Sequence, residues 1–435
     1  MSIFRLRWLV IALLISLGSY THAASAQGEL ASPASKIPAG SSDVHEVEHW
    51  DALAVNPNLS VAEVLEKTYA RNPKQALLNS RNSVVTSKQL MANAWLPTAP
   101  ALGFAHQNDT LGSGRGEREW QAELELPVWL PNQRNNRHKV ADDSRFNLNA
   151  SQTSTRLQVA GQLRDALWDV AFNENNLALA QHMLSLANQL QSDVEKRHSA
   201  GELAKTDVML AQQERLRAEK EQLRAEAELM HARYRYYLLT GLREIPANFE
   251  EQQSLLENYS QSPIWLEAES KVNLAQSERA LAQIESREHM QVLLNMRSVK
   301  GGFDNAANES VGVKLRIPFG GEARSAPIKA AAELELGNAL TERESLRMAL
   351  EAAMHEAEHN LNVSKAELVL AGKQNEIAQE NARLGEKSFR LGESDLVSLL
   401  RVQSQAFEAA RAYSTRQIQL KWDIARYNQT VGVLP

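Results

Sequence analysis

The chain has 435 residues but only Gly 20 and Pro 13, too few turn-formers for two ordinary globular domains, so long uninterrupted helices are the first expectation. Charged residues at 23%, aromatics at 6% and a mean hydropathy of −0.40 exclude a polytopic helical membrane protein. A net charge of −6 gives no electrostatic case for nucleic acid, and Cys 0 removes any disulfide, thiolate metal site or cysteine nucleophile.

Residues 1–26 carry Arg5 and Arg7 ahead of an apolar run from Trp8 to Leu17, followed by Ala24-Ser25-Ala26. That is the order of an export signal with small residues at the cut. The run is too short to span a bilayer and no later stretch approaches ~20 apolar residues, so any membrane crossing has to use strands. Residues 27–58 are rich in Ser, Pro, Ala and acids without a period and read as an extended N-terminal arm.

A duplication organises the rest. One ungapped offset of 191 residues places Pro127 on Pro318, Leu177 on Leu368, Glu195-Lys196 on Glu386-Lys387, Gly201-Glu202 on Gly392-Glu393, Gln212 on Gln403, Arg235-Tyr236 on Arg426-Tyr427 and Gly241 on Gly432. The expected division is repeat 1 over 59–242, a linker over 243–262 and repeat 2 over 263–435. Within repeat 1, Ser60 to about Trp95 reads as helix, punctuated by Pro97 and Pro100. Trp120, Ala122, Leu124 and Leu126 then alternate with Gln121, Glu123 and Glu125, the two-residue period of a strand. In repeat 2, Val311, Val313, Leu315 and Ile317 alternate in the same phase with Gly312, Lys314 and Arg316.

Antiparallel partners are expected upstream, at Ala99–Gln107 and Glu288–Ser298, across loops rich in Gly, Asn and Asp. A Lys or Arg facing lipid at mid-bilayer costs ~2–4 kcal/mol, so in a membrane Glu123, Glu125, Lys314 and Arg316 have to line water and the aliphatic positions have to face lipid. After each hairpin, spacings of four and three from Val159 to Val194, and again from Leu350 to Gly385, mark a narrow Ala-rich coiled-coil seam. A helix from near Asn132 to His198 would be about 100 Å long at 1.5 Å per residue. The breaks at Ala200-Gly201 and Leu391-Gly392 return each helix toward Gly241 or Gly432. The fold class is therefore mainly α with a small β part: long coiled-coil helices and four strands per chain.

With these residues in place, the chain over 59–435 resembles the TolC-like outer-membrane factors. The matching features are Leu59-Ser60-Val61-Ala62-Glu63-Val64-Leu65 leading to Asn72-Pro73, a strand ending Leu126-Pro127-Val128-Trp129 mirrored by Ile317-Pro318-Phe319-Gly320-Gly321, and the tip Arg390-Leu391-Gly392-Glu393-Ser394-Asp395. The resemblance, leaning toward the branch that includes CzcC-type metal-efflux channels, implies a homotrimer. Its twelve strands form one outer-membrane β-barrel set in lipid and continued into the periplasm by a helical barrel. It implies the passive exit duct of a tripartite efflux system, metal-ion efflux included, with a periplasmic adaptor (membrane fusion) protein and an inner-membrane pump such as an RND transporter as partners. It implies no enzyme activity and no cofactor. Four strands cannot close a barrel alone, so at least two chains have to share one.

Channels of this family close at the periplasmic tip through acidic residues, typically an Asp six positions after the tip Gly. Here that Asp is Asp207 in repeat 1, whereas repeat 2 has Ser398 there and Arg401 three further on. The implied gate residues are Asp207, Glu393, Asp395, Ser398 and Arg401, and the implied adaptor contacts are Gly201, Glu202, Leu391 and Gly392. Asp207, Glu393 and Asp395 have an equally simple use in favouring helix N-termini. Competing readings are a type I secretion exit duct and a periplasmic coiled-coil adaptor or structural protein, the latter needing no paired strand hairpins.

His355-Glu356-Ala357-Glu358-His359 matches the HExxH pattern of zinc metalloproteases. The heptad places Met354 and Ala357 in the seam, leaving His355, Glu356 and His359 on polar faces without the dry pocket that hydrolysis needs. The expectation is no catalytic metal. The other histidines, among them His106, His182, His198, His231 and His289, are scattered.

Overall fold

The computed structural model describes residues 52–435. The export signal at 1–26 and most of the arm at 27–58 lie outside the described residues. Repeat 1 opens with β1 (Ala54–Asn56), α1 (Val61–Arg71) and α2 (Lys74–Asn93), then a hairpin of β2 (Ala101–Asn108) and β3 (Arg118–Val128). The helices α3 (Gln133–Ser199) and α4 (Lys205–Thr240) follow. After β4 (Glu244–Pro246), the second half brings α5 (Pro263–Glu285), the hairpin of β5 (Met290–Lys300) and β6 (Asn308–Arg316), α6 (Glu322–Arg390) and α7 (Leu396–Val431).

The Ser60 hydroxyl caps α1 by accepting the Glu63 N–H at 3.2 Å. The helix expected without interruption over 60–95 is two helices. Asn72, held extended at ψ 132 by the proline after it, ends α1, and α2 restarts at Lys74. β1 lies in the stretch read as an extended arm and pairs in parallel with β4 in the stretch read as linker, Val55 opposite Ile245. Neither pairing has a local sequence signal.

α3 has 67 residues and α6 has 69, each about 100 Å long. α3 packs against α2 along one part of its length and α4 along another, and α6 does the same with α5 and α7, while α3 also touches α5 and α7. The resulting side-by-side order is α2 with α4, then α3, then α5 with α7, then α6. Both α3–α4 and α6–α7 turns pass through a glycine in the left-handed region, Gly201 at φ 81° and Gly392 at φ 74°. Each would have open space for a Cβ, so φ rather than crowding selects glycine there.

The largest core cluster joins α1, α3, α4 and β4 through Val64, Leu65, Leu163, Leu167, Leu229, Tyr236 and Ile245. The Tyr236 hydroxyl donates to the Glu244 carbonyl at 2.9 Å, and burial pushes its pKa up to about 12. Its repeat mate Tyr427 donates to the Leu256 carbonyl at 2.8 Å. Arg164 of α3, 3% exposed at its side chain, bonds Glu251 through two nitrogens at 2.7 and 2.8 Å, Gln429 at 2.6 Å and the Val433 carbonyl at 2.9 Å. Asn428 donates to Glu251 at 2.9 Å and accepts the Ser254 N–H at 2.8 Å. Residues 247–262 are thereby strapped across the helices.

Candidate functional site

The four longer strands form one antiparallel sheet in the order β2-β3-β5-β6. The link between the two halves is β3 with β5, Leu124 opposite Leu294 and Glu123 opposite Asn295. Directly opposed residues share a face, so register sorts the sheet. One face carries Glu119, Gln121, Glu123, Glu125, Asn295, Arg297, Lys314 and Arg316, with Gly103 and Gly312 beside them. The other carries Leu102, Phe104, Trp120, Ala122, Leu124, Leu126, Val292, Leu294, Met296, Val311, Val313 and Leu315.

On the polar face, Arg297 forms a bidentate pair with Glu119 at 2.6 and 2.7 Å across β3 and β5. A Cβ at Gly312 would overlap the Asn295 side-chain oxygen, so this glycine makes room for a polar neighbour rather than for a turn. Leu293 and Val299 are larger apolar residues on that face, and Leu293 is buried. On the apolar face, Phe104 is 80%, Val311 81% and Val313 73% exposed, which water does not tolerate over so wide a patch. From Trp120 to Trp129 the chain advances ~30 Å along the strand. At a barrel tilt of ~40° this is ~23 Å of height, close to the ~25 Å apolar band that aromatic girdles bound in membrane barrels. Trp120, stacked on His106 with centroids 4.1 Å apart, marks the edge near the β2–β3 loop, and Trp129 and the exposed Phe319 mark the edge near the helices.

The β2–β3 loop is ordered by Asp109, whose carboxylate accepts from the Ser113 hydroxyl and from the N–H groups of Arg115, Gly116 and Glu117 at 2.6 to 3.0 Å. These donors, the Ser113 hydroxyl foremost, hold its pKa below the usual aspartate value. At the opposite end of the strands, Arg137 of α3 bonds Glu285 of α5, donates to the Pro97 carbonyl at 3.1 Å and lies over the Trp129 ring at 5.0 Å. Gln133 reaches both Glu285 and His289 at 2.9 Å. Burial, with Arg137 nearby, depresses the His289 pKa. One charged cluster thus fixes both hairpins to the helices.

At the far ends of the long helices the two tips meet. Val194, Val208 and Ala211 of one cluster with Phe389, Leu396 and Leu399 of the other. Arg197 donates to the Phe389 carbonyl at 3.0 Å, lies over its ring at 4.9 Å and pairs with Glu202 at 3.0 Å. A repeated clasp holds each helical pair: Gln212 reaches Glu195 at 3.5 Å, and Gln403 reaches Glu386 at 3.2 Å. The sequence repeat contains both pairs of residues, but only packing shows that they touch. A cleft of about 580 Å³ opens beside the tips, lined by Leu186, Leu190, Asp193, Lys196, Phe389 and Gln403 among others.

Gly201, Glu202, Leu391, Gly392 and Glu393 are all exposed in the two turns, Leu391 at 64%. Asp395 is the N-cap of α7 and accepts the Ser398 N–H at 2.8 Å; Asp207 accepts the Ala204 N–H at 3.1 Å. Hydrogen bonds from Ser398, reinforced by the Arg401 charge, hold the Asp395 pKa below the usual value. Both acids therefore have a structural use in shaping the turns. Arg401 is exposed and Ser398 half-buried.

The HExxH segment lies on the side of α6 turned away from α7. Met354 and Ala357 pack toward the α6–α7 core, and His355, Glu356 and His359 are exposed, the two rings nearly parallel with centroids 6.5 Å apart. Among the described residues no three His, Asp or Glu side chains of one chain converge to hold a metal ion, and no helix is long and apolar enough to cross a membrane.

No family model and no curated protein matches the sequence. Solved structures do match the fold. A membrane protein from Pseudomonas aeruginosa superposes with a TM-score of 0.69 at 16% identity, over 88% of this chain and 95% of the other. The outer membrane protein VceC of Vibrio cholerae gives 0.68 at 13% identity, over 86% of this chain and 96% of that one. The open state of the MtrE outer membrane channel of Neisseria gonorrhoeae gives 0.67 at 15% identity, over 88% and 91%. The chain has the fold of the TolC-like outer-membrane channels.

Proposed function

We propose that the protein is a passive outer-membrane duct that works as a homotrimer and receives its cargo from an inner-membrane pump through a periplasmic adaptor. The observation that carries this reading is the four-stranded sheet, polar on one face, apolar and bare on the other, and open at both edges. An apolar face with no protein cover suits lipid, and unpaired edges β2 and β6 suit pairing with further copies. β6 and β2 run in opposite senses, so β6 of one copy can meet β2 of the next in the antiparallel pairing used throughout the sheet. Glu123, Glu125, Lys314 and Arg316 then face the water-filled lumen.

The long helices carry the duct away from the membrane, and the exposed turns around Gly201, Glu202, Leu391 and Gly392 are the adaptor surface. Asp207, Glu393, Asp395 and Arg401 ring the opening there. No step of this work is chemical, and the pump selects the cargo. The test is membrane fractionation followed by mass measurement in detergent and conductance in a planar bilayer. The expected result is an outer-membrane protein of three copies that conducts. A processed chain that stays soluble and single overturns the reading.

A further inference from the structure

Two helical edges of the described unit have no neighbour within the chain. On α4 the exposed Met209, Leu216 and Leu223 recur every seven residues, followed by His231 and Leu238 on the same side. On α6 the exposed Val363, Leu370 and Ile377 also recur every seven, preceded by Met348, Glu356 and His359. The internal repeat supplies a template for how such edges mate, because α3 packs on α7 inside one chain and α3 and α7 are the repeat mates of α6 and α4.

Three observed α3–α7 contacts set the register. Gln429 donates to the Leu157 carbonyl at 2.8 Å, Trp422 Nε1 to Asp165 at 3.0 Å, and Asn175 to Ser414 at 3.1 Å. Shifted by the repeat offset of 191, they become Leu238 against Met348, His231 against Glu356 and Leu223 against Ala366, each pair split between adjacent copies. Two polar contacts turn apolar, as a seam between copies requires. The third becomes an imidazole beside a carboxylate.

At that same level α6 also carries His359, the repeat mate of Trp168, and His355, the repeat mate of Arg164, both of which are buried on α3. We propose that His355, Glu356 and His359 of one copy, with His231 of the adjacent copy, form a binding site for a borderline divalent cation of the Zn2+ class, repeated at every junction between copies. The inference rests on the ring reading above. Imidazoles four residues apart on one helix face can share a cation, three imidazoles are a donor set that Zn2+ takes in four-coordination, and the Glu356 carboxylate stands beside them. Within one chain the cluster stops at the His355–His359 pair and its flanking glutamates; the adjacent copy completes it. Of the cations of α4 at that level, Arg235 is held at 2.6 Å by Asp169 and Arg233 at 3.1 Å by Glu174, both of its own chain.

The lack of native cysteine allows the register and the metal to be tested apart. In the full-length processed protein in detergent, an Ala366→Cys, Leu223→Cys double variant should form disulfide-linked dimers and trimers on oxidation. Zn2+ titrated into chelator-treated protein should bind at one ion per copy and raise the thermal midpoint of the oligomer. His231→Ala and His359→Ala should each weaken binding at least about 100-fold, beyond the loss typical of an outer-shell partner. Cross-linking without Zn2+ binding overturns the metal site and leaves the ring intact. Zn2+ affinity unchanged by His231→Ala overturns the shared site. A chain that neither cross-links nor oligomerises overturns the ring itself.

Discussion

At the residue scale, charge matters most where water is excluded. Arg164 donates four hydrogen bonds and its partner Glu251 is 14% exposed at the side chain, so Arg164→Ala would leave a carboxylate with only the Asn428 amide and release the strap over 247–262. A loss of ~3–5 kcal/mol is expected, the range for breaking one side of a buried pair, read as a fall in the denaturant midpoint of the helical signal. Arg416→Ala, which breaks an exposed pair with Glu367, should cost no more than ~1 kcal/mol. Asp395 separates charge from capping. Because its folded pKa lies below the usual 3.8, its carboxylate contributes stability above that value and loses it as pH falls through the folded pKa. Asp395→Asn keeps a good cap, so hydrogen exchange at the start of α7 should stay slow and lose its acid dependence. Asp395→Ala should speed exchange at neutral pH too.

At the element scale, the strands are the sharpest case because register leaves only two faces to choose from. Leu124→Arg and Leu315→Arg put a cation on the apolar face near its middle rows, at ~2–4 kcal/mol each, so less protein should reach the oligomer in membrane extracts. Glu123→Gln lies on the polar face and should leave assembly unchanged while altering conductance. The phase of these strands was legible because a two-residue period needs nothing but neighbours along the chain, and the helix turns were legible because Gly201 and Gly392 need a positive φ. The break at Asn72-Pro73 was in plain view but overridden by the surrounding helical pattern. What stayed hidden depended on distant partners. β1 and β4 are three residues each and have meaning only as a pair. Arg164 and Glu251 look like surface charges until the helices close over them, and the β3–β5 link joins residues on opposite sides of the duplication. At the tips the sequence already offered Asp207 and Asp395 as acids that favour helix N-termini, and the structure adds which backbone N–H each accepts, Ala204 and Ser398.

At the scale of the whole molecule, the number of copies in the proposed duct follows from what such a passage must contain. Each chain brings four strands, so two copies would close an eight-stranded barrel, and the interior of a barrel that size is filled by side chains or holds one small ligand. Three copies bring twelve strands and are the smallest closed set of this chain with space left along the axis. The helices give the same multiple, since α2 with α4, α3, α5 with α7, and α6 make four columns per copy, one continuing from each strand. With axes about 10 Å apart, twelve columns make a ring ~38 Å across between helix centres, wider than the strands they carry. The narrowest passage in an open state should therefore lie in the strand part, where Glu119, Glu123, Arg297 and Lys314 converge, rather than along the helices. Polymer-exclusion measurements in bilayers check this directly. Arg297→Trp, placed on the polar face where β3 and β5 meet, should lower the size cut-off and the conductance while leaving the mass at three copies. A mass of two copies would overturn the copy number, and a cut-off that does not respond would mean that the polar face does not line the path.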